Sequence, residues 1–175
     1  MAREPQYLIE YAAEYTKLGH TAFGVAYRGA VLIGAGMCAK VVERPFSWRR
    51  RTLGAVELEE LARVASILDR VWRIRKNPGA QRGGNIMAGQ SADNDIVLPE
   101  YTVSTQHCAF SFDASGLSIM DSGSLNGTKI DGVLLEPLVA TRIKDKAELT
   151  LGRIRFEYLM NPSFVDLIKT VAEKH

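Results

Sequence analysis

Residues 83–128 read GGNIMAGQSADNDIVLPEYTVSTQHCAFSFDASGLSIMDSGSLNGT, and nearly every position in this stretch that does not suit a strand suits a loop. Four polar pieces stand in order: Gly89-Gln90, then Asp93-Asn94-Asp95 running into Ile96-Val97-Leu98, then Ser104-Thr105-Gln106-His107, then Asp121 to Thr128 as DSGSLNGT. Short alternating apolar runs separate them, with Cys108, Phe110 and Phe112 in one and Leu117 and Ile119 in the next. A period of two marks half-buried strands, and Gly, Asn, Asp and Ser are the residues that turn a chain between strands.

The same period continues on both sides. Val71, Arg73 and Arg75 alternate with Trp72 and Ile74 ahead of an Asn77-Pro78-Gly79 turn; Leu149 and Leu151, then Ile154, Phe156 and Tyr158 against Arg153, Arg155 and Glu157, follow downstream. Asp131-Gly132 is a two-residue hairpin signal, and Ala114-Ser115-Gly116 suits a tight turn. Together these runs predict an all-β sandwich over residues 68–160. Asn161-Pro162 closes the sheet, and Ser163 is the expected cap of a short C-terminal helix within 161–175, with Phe164, Leu167, Ile168 and Val171 on one side.

Residues 1–67 predict a helix/strand/helix extension packed on the sandwich. Pro5 suits a first helical turn, Leu8, Tyr11, Ala12, Tyr15 and Leu18 share one face, and Gly19 ends the helix. Val31-Leu32-Ile33 reads as a short strand that Gly34 and Gly36 end, and a second helix runs from Ala55 to about Asp69. A helix with one apolar face needs cover, so the extension is expected to fold with the sandwich as one unit.

In their order and spacing, the four polar pieces resemble the forkhead-associated (FHA) family over roughly residues 68–160. The resemblance implies a sandwich of about eleven strands whose loops, gathered at one end, capture a phosphothreonine in an extended peptide. By the same resemblance, Ser104 donates its hydroxyl to the phosphate and Asn126 holds the ligand's main chain through its amide. Gln90, Thr105, Ser124 and Leu125 complete the ligand-facing set, while Gly89, His107 and Gly127 hold the loops in shape. The chain departs from the family at Gln90, where the pattern places the arginine that is the phosphate's principal positive partner. A charge-assisted hydrogen bond contributes ~1.5–3 kcal/mol and a neutral one about half, so the exchange costs on the order of tenfold in affinity. No Lys or Arg occurs from Gly83 to Thr128, where Asp93, Asp95, Glu100, Asp113 and Asp121 set a formal charge of −5. Arg82 and Lys129 are the sequence-near cations, and the Arg49–Arg51 cluster is a more distant source of positive charge. A second departure falls at Lys144-Asp145-Lys146-Ala147-Glu148, where the family carries a tight Gly-Asp turn.

Composition narrows the function further. A net charge of +2 with 24% charged residues points to neither a nucleic-acid footprint nor an acidic partner. The basic stretch 43–53, ERPFSWRRRTL, is open to three functional readings: a nucleic-acid patch, an acidic-partner patch, or a kinase acceptor at Ser47 or Thr52. A solvated loop accounts for it as well, and the cluster is too short for a nucleic-acid stripe. Cys38 and Cys108 lack metal-ligand spacing, which suits reduced thiols and a cytoplasmic setting, and the eleven-residue run GAVLIGAGMCA is far short of the ~20 that a membrane span needs. His20, His107 and His175 stand beside no metal-ligand carboxylate, the calcium-loop start at Asp93 lacks its glycine and glutamate, and no nucleophile motif occurs. The expected protein is a non-enzymatic interaction module without metal or cofactor, its partner a protein or peptide. Gln90 favours weakened phosphothreonine recognition; the alternative is a phosphothreonine reader in a Ser/Thr kinase pathway whose positive charge comes from elsewhere. Oligomerisation through the N-terminal region stays open.

Overall fold

Ala30–Met37, AVLIGAGM, forms an eight-residue strand with no polar position to mark an outer face. A strand of this composition needs cover on both sides. In the computed structural model, which describes residues 6–38, 61–77 and 84–174, it has that cover. Ahead of this strand (β1) come helices α1 (Leu8–Leu18) and α2 (His20–Ala26). After it come helical residues 61–67 (α3) and strands β2 (Val71–Ile74), β3 (Ile86–Gly89), β4 (Ile96–Val97), β5 (Cys108–Asp113) and β6 (Gly116–Asp121). The chain continues through β7 (Thr128–Ile130), β8 (Val133–Leu134), β9 (Thr141–Arg142), β10 (Glu148–Leu151) and β11 (Ile154–Leu159) to α4 (Asn161–Lys174).

The strands form a six-stranded sheet, β2-β1-β11-β10-β7-β8, and a five-stranded sheet, β4-β3-β5-β6-β9. Every pairing is antiparallel except β3 with β4. Between the sheets lies the main core, where Leu32, Leu149, Leu151, Phe156 and Tyr158 of one sheet meet Ile86, Cys108, Phe110 and Ile119 of the other. Along β1 the sides alternate: Ala30 and Leu32 face this core, whereas Val31 and Ile33 face a second one beneath the helices. There Tyr11, Phe23, Phe164 and Ile168 are buried, with the Tyr11 ring 5.3 Å from Phe164 in edge-to-face contact. The tyrosine stripe of α1 is thus packing surface. Asn161 ties the two ends of the chain together, its side-chain amide donating to the Tyr27 carbonyl at 2.9 Å.

Several sequence expectations change. β1 does not end at Gly34 but runs on to Met37, with a register shift against β11 between Gly34 and Gly36. Gly34 exchanges backbone hydrogen bonds with the end of α3, Asp69 N–H to Gly34 O at 3.0 Å and Gly34 N–H to Arg70 O at 2.8 Å. A Cβ at Gly34 would occupy the place of the Ile67 carbonyl. Because β1 is an interior strand, a boundary between residues 67 and 68 passes through a hydrogen-bonded sheet. α2 has no sequence signal of its own, since HTAFGVA is short and carries an interior glycine. Phe112, expected inside, is 53% exposed near the outer end of β5. α4 begins at Asn161, and Ser163 donates its hydroxyl to Asp145 (2.5 Å) from within the first turn instead of capping it. In the Lys144–Glu148 turn, Lys146 takes the left-handed conformation (φ 67°) that glycine would adopt freely. The Asp131-Gly132 hairpin joins β7 to β8 with both residues at positive φ, as the turn requires. Pro5, residues 43–53, most of the Ala55 helix, Pro78-Gly79 and His175 lie outside the described residues.

The contact at Gly34 makes a stability test. Gly34→Ala places a methyl group against the Ile67 carbonyl and should cost about 1–3 kcal/mol in urea unfolding. Gly84→Ala, with nothing within 4 Å, should stay within ~0.5 kcal/mol of wild type.

Candidate functional site

Three loops meet at one end of the sandwich. The first leaves β3 at Gly89 and Gln90, the second spans residues 98–107 between β4 and β5, and the third spans residues 122–127 between β6 and β7. Gln90 N–H donates to Ser104 O at 3.0 Å, and Leu125 N–H donates to Ser104 Oγ at 3.0 Å, so Ser104 touches both neighbouring loops. Gly89 is buried against the second loop, and any Cβ there would overlap the Thr105 and Ser104 carbonyls.

His107 is the fully buried pin of this arrangement. Its Nδ1 accepts the Ser104 N–H at 3.0 Å, which leaves the ring proton on Nε2 to be donated to the Gly127 carbonyl at 3.2 Å. Burial lowers its pKa below the ordinary 6.5, although the Gly127 carbonyl and the Asp121 charge pull the other way. Asp121 organises the third loop from within: its carboxylate accepts from Gly123 N–H, Ser124 N–H, the Ser124 hydroxyl and the Thr128 hydroxyl at 2.6–2.9 Å. Burial pushes this carboxyl up, but the bonds from Ser124, Thr128 and Gly123 outweigh burial and hold it below the ordinary 3.8. Asn94, buried, performs the same service for the first two loops, donating to the Ser91 and Thr105 carbonyls at 2.9 and 2.7 Å. The sequence shows Asn94 only as part of an Asp-Asn-Asp turn.

Of the residues expected to face a ligand, Ser124 has both its N–H and its hydroxyl turned into Asp121. Ser104 accepts from Leu125, which leaves its hydroxyl proton to be donated. Asn126 donates one amide N–H to the Thr102 carbonyl at 2.7 Å, and a primary amide has a second N–H and a carbonyl oxygen besides. Gln90, Thr105 and Leu125 are exposed, Leu125 at 72%. Among the described residues, the Gln90 amide reaches only the Glu100 carbonyl, at 3.5 Å. Gly127, at φ 78°, makes the sharp exit from the third loop.

The acidic field inferred from the sequence is largely consumed inside the fold. Asp95 accepts from Lys76 Nζ at 2.9 Å and from the Asn77 and Met87 N–H groups. Glu100 is buried and paired with Arg153 at 3.0 Å, and Asp113 pairs with Arg142 at 2.8 Å. Lys129 is exposed on β7, while Arg82 and Arg49–Arg51 lie outside the described residues. A cation that the sequence places far away lines the same cleft as Gln90: Arg63 of α3 lies over the Tyr101 ring, 5.6 Å from its centroid. Among the described residues, no group of three or more His, Cys, Asp or Glu is arranged to hold a metal, and no helix is long and apolar enough to cross a membrane.

Two packed sheets that display polar side chains on three mutually bonded end loops define a binding module built on a β-sandwich. Residues 86–152 match the family model of the FHA domain. The glycogen accumulation regulator GarA of Mycolicibacterium smegmatis is 33% identical over 79 residues, 45% of this chain and 48% of that protein. The oxoglutarate dehydrogenase inhibitor of Corynebacterium glutamicum is 33% identical over 76 residues, 43% of this chain and 51% of that protein. The chain thus spans about half the length of the curated relatives it matches. The FHA domain of an Arabidopsis thaliana hypothetical protein, solved in solution, is 16% identical, covers 91% of this chain and 93% of its own, and gives a TM-score of 0.48.

The pin at His107 predicts a pH dependence of stability. Between the ordinary 6.5 and its lower folded value, the unfolded chain takes up a proton that the folded ring refuses. Stability is therefore complete above about 6.5 and falls as pH drops through that window. Urea unfolding from pH 8 to 5 should show this decline in wild type. His107→Gln should be less stable at pH 8 by about 1–3 kcal/mol yet flatter across the window. Parallel profiles would assign the decline to another group.

Proposed function

We propose that the protein is a non-catalytic interaction module that holds an extended, threonine-bearing segment of a partner protein across the three end loops. In this reading, phosphorylation of the threonine adds little to affinity. The observation that carries the proposal is the pairing of a ligand-ready Ser104 hydroxyl and Asn126 amide with an exposed, uncharged Gln90. The hydroxyl and amide would hold the peptide, and the loop backbone N–H groups suit an anion. The neutral amide of Gln90 supplies no counter-charge to a phosphate dianion. A cytoplasmic location belongs to the same proposal, supported by Cys38 and Cys108, two thiols that are not joined.

Titration of an oriented phosphothreonine peptide library beside its unphosphorylated twin tests the reading. Wild type should bind the two within a few-fold of each other. Gln90→Arg should raise affinity for the phosphorylated peptides by at least about tenfold, ~1.4 kcal/mol, and Ser104→Ala in that background should remove the gain. Micromolar, phosphate-dependent binding by wild type, with Gln90 in place, would overturn it.

A further inference from the structure

Arg153 stands where a period-two strand would turn its charge to solvent, in line with Arg155 and Glu157, yet it is only 7% exposed. It lies one residue past the segment that matches the FHA family model. Gly152-Arg153 forms the two-residue turn between β10 and β11, with glycine first at φ 60°. The turn is pressed against two of the end loops. A Cβ at Gly152 would overlap the Thr102 carbonyl of the second loop, and the Gly152 N–H donates to the Gly127 carbonyl of the third at 3.3 Å.

A closed circuit of bonds ties Arg153 to the second loop. Its Nε donates to Glu100 Oε1 at 3.0 Å, and its backbone N–H donates to Thr102 Oγ1 at 3.1 Å. Glu100 Oε2 in turn accepts the Thr102 N–H at 2.8 Å and the Thr102 hydroxyl. Glu100, Thr102 and Arg153 are all buried. The Val103 N–H, which shares a peptide plane with the Thr102 carbonyl, donates to the Glu100 carbonyl at 3.0 Å, so the direction of the Thr102 carbonyl is set as well. That carbonyl accepts one N–H of Asn126 at 2.7 Å. A primary amide is planar, so holding one N–H also sets where its second N–H and its oxygen point.

A buried ion pair is a weak source of stability, because the cost of taking both charges out of water offsets most of their attraction. A fully satisfied buried network does fix geometry. We infer that Glu100 and Arg153 are positioning residues for ligand binding: through Thr102 they hold the Asn126 amide in the orientation that takes the main chain of the peptide. The inference rests on the end loops being the peptide site. Neither residue touches the ligand in this arrangement. Their contribution is to order the amide before the peptide arrives, which removes that ordering cost from the binding step. Ser104 lies outside the circuit, since its N–H is held by His107 and its hydroxyl accepts from Leu125.

The test uses the full chain and the tightest threonine peptide from the oriented library. Arg153→Met alone would leave a buried, unpaired carboxylate, so it is combined with Glu100→Gln, which removes both charges at similar volume. The double variant should keep a urea midpoint near that of wild type yet bind the peptide at least about fivefold more weakly. Arg153→Lys, long enough to reach Glu100, should stay within about twofold of wild type. Added to Asn126→Ala, the double exchange should weaken binding no further; added to Ser104→Ala, it should cost its full factor, because the pair acts through one amide and not through the loops at large. Equal losses in the two backgrounds overturn the inference, as does Arg153→Lys binding as weakly as the uncharged pair. A second readout needs no peptide. In proton–nitrogen spectra of the free protein, the two Asn126 side-chain amide protons should be widely separated in wild type and Arg153→Lys and drawn together in the double variant. An amide signal unmoved by loss of the pair overturns the inference whatever the peptide does. Failure of the parent reading looks different: Ser104→Ala and Asn126→Ala would each leave peptide affinity unchanged while the amide signal still answered to the pair.

Discussion

A strand that is apolar on both faces can exist in water only if two separate surfaces close over it. β1 is that strand, and the architecture follows from its need. One cover is the second sheet, through Ala30 and Leu32; the other is the three-helix layer of α1, α2 and α4, through Val31 and Ile33. Neither cover suffices alone, since each satisfies one alternate set of side chains. The helices are therefore no ornament on a finished sandwich. The strand they protect pairs on one side with β11 and on the other with β2, and β2 opens the segment that leads to the end loops.

Much of this was legible from residues alone, and the failures have physical causes. Period-two runs located most strands because one face of each meets the core and the other meets water. Sequence ends β1 too early because glycine ordinarily weakens a strand, whereas here Gly34 admits the α3 carbonyl and Gly36 follows the register shift. α2 was invisible because a seven-residue helix with an interior glycine owes its existence to Phe23, which is buried by its neighbours. The site was legible as a set of loops, and the bonds among Gln90, Ser104 and Leu125 join them. What each side chain does was not, because a motif does not say which way a hydroxyl turns. Ser124 and Ser104 read alike in sequence, yet one serves Asp121 and the other presents its proton.

Charge shows the same limit more sharply. Summed along the chain, residues 83–128 are acidic; summed in space, Asp95, Glu100 and Asp113 have basic partners contributed by Lys76, Arg153 and Arg142. A linear charge count measures neighbours in sequence, and the field at a binding surface depends on neighbours in space. The exposed pair Asp113–Arg142 adds little to stability, but it illustrates how far the two counts diverge.

The bond from the Asn161 amide to the Tyr27 carbonyl spans 134 residues of sequence. Taken with the pairing of β1 and β11, it sets an order of events during synthesis. The N-terminal helices and the AVLIGAGM strand leave the ribosome well before their partners on β11 and α4 are made. At ~5–20 residues per second, the nascent chain carries an uncovered apolar strand for many seconds. Contacts between distant segments also slow the search once the chain is complete. A fold closed by segments this far apart cannot cover the strand until α4 has emerged, and during that interval it depends on whatever shields the strand from its neighbours on the polysome.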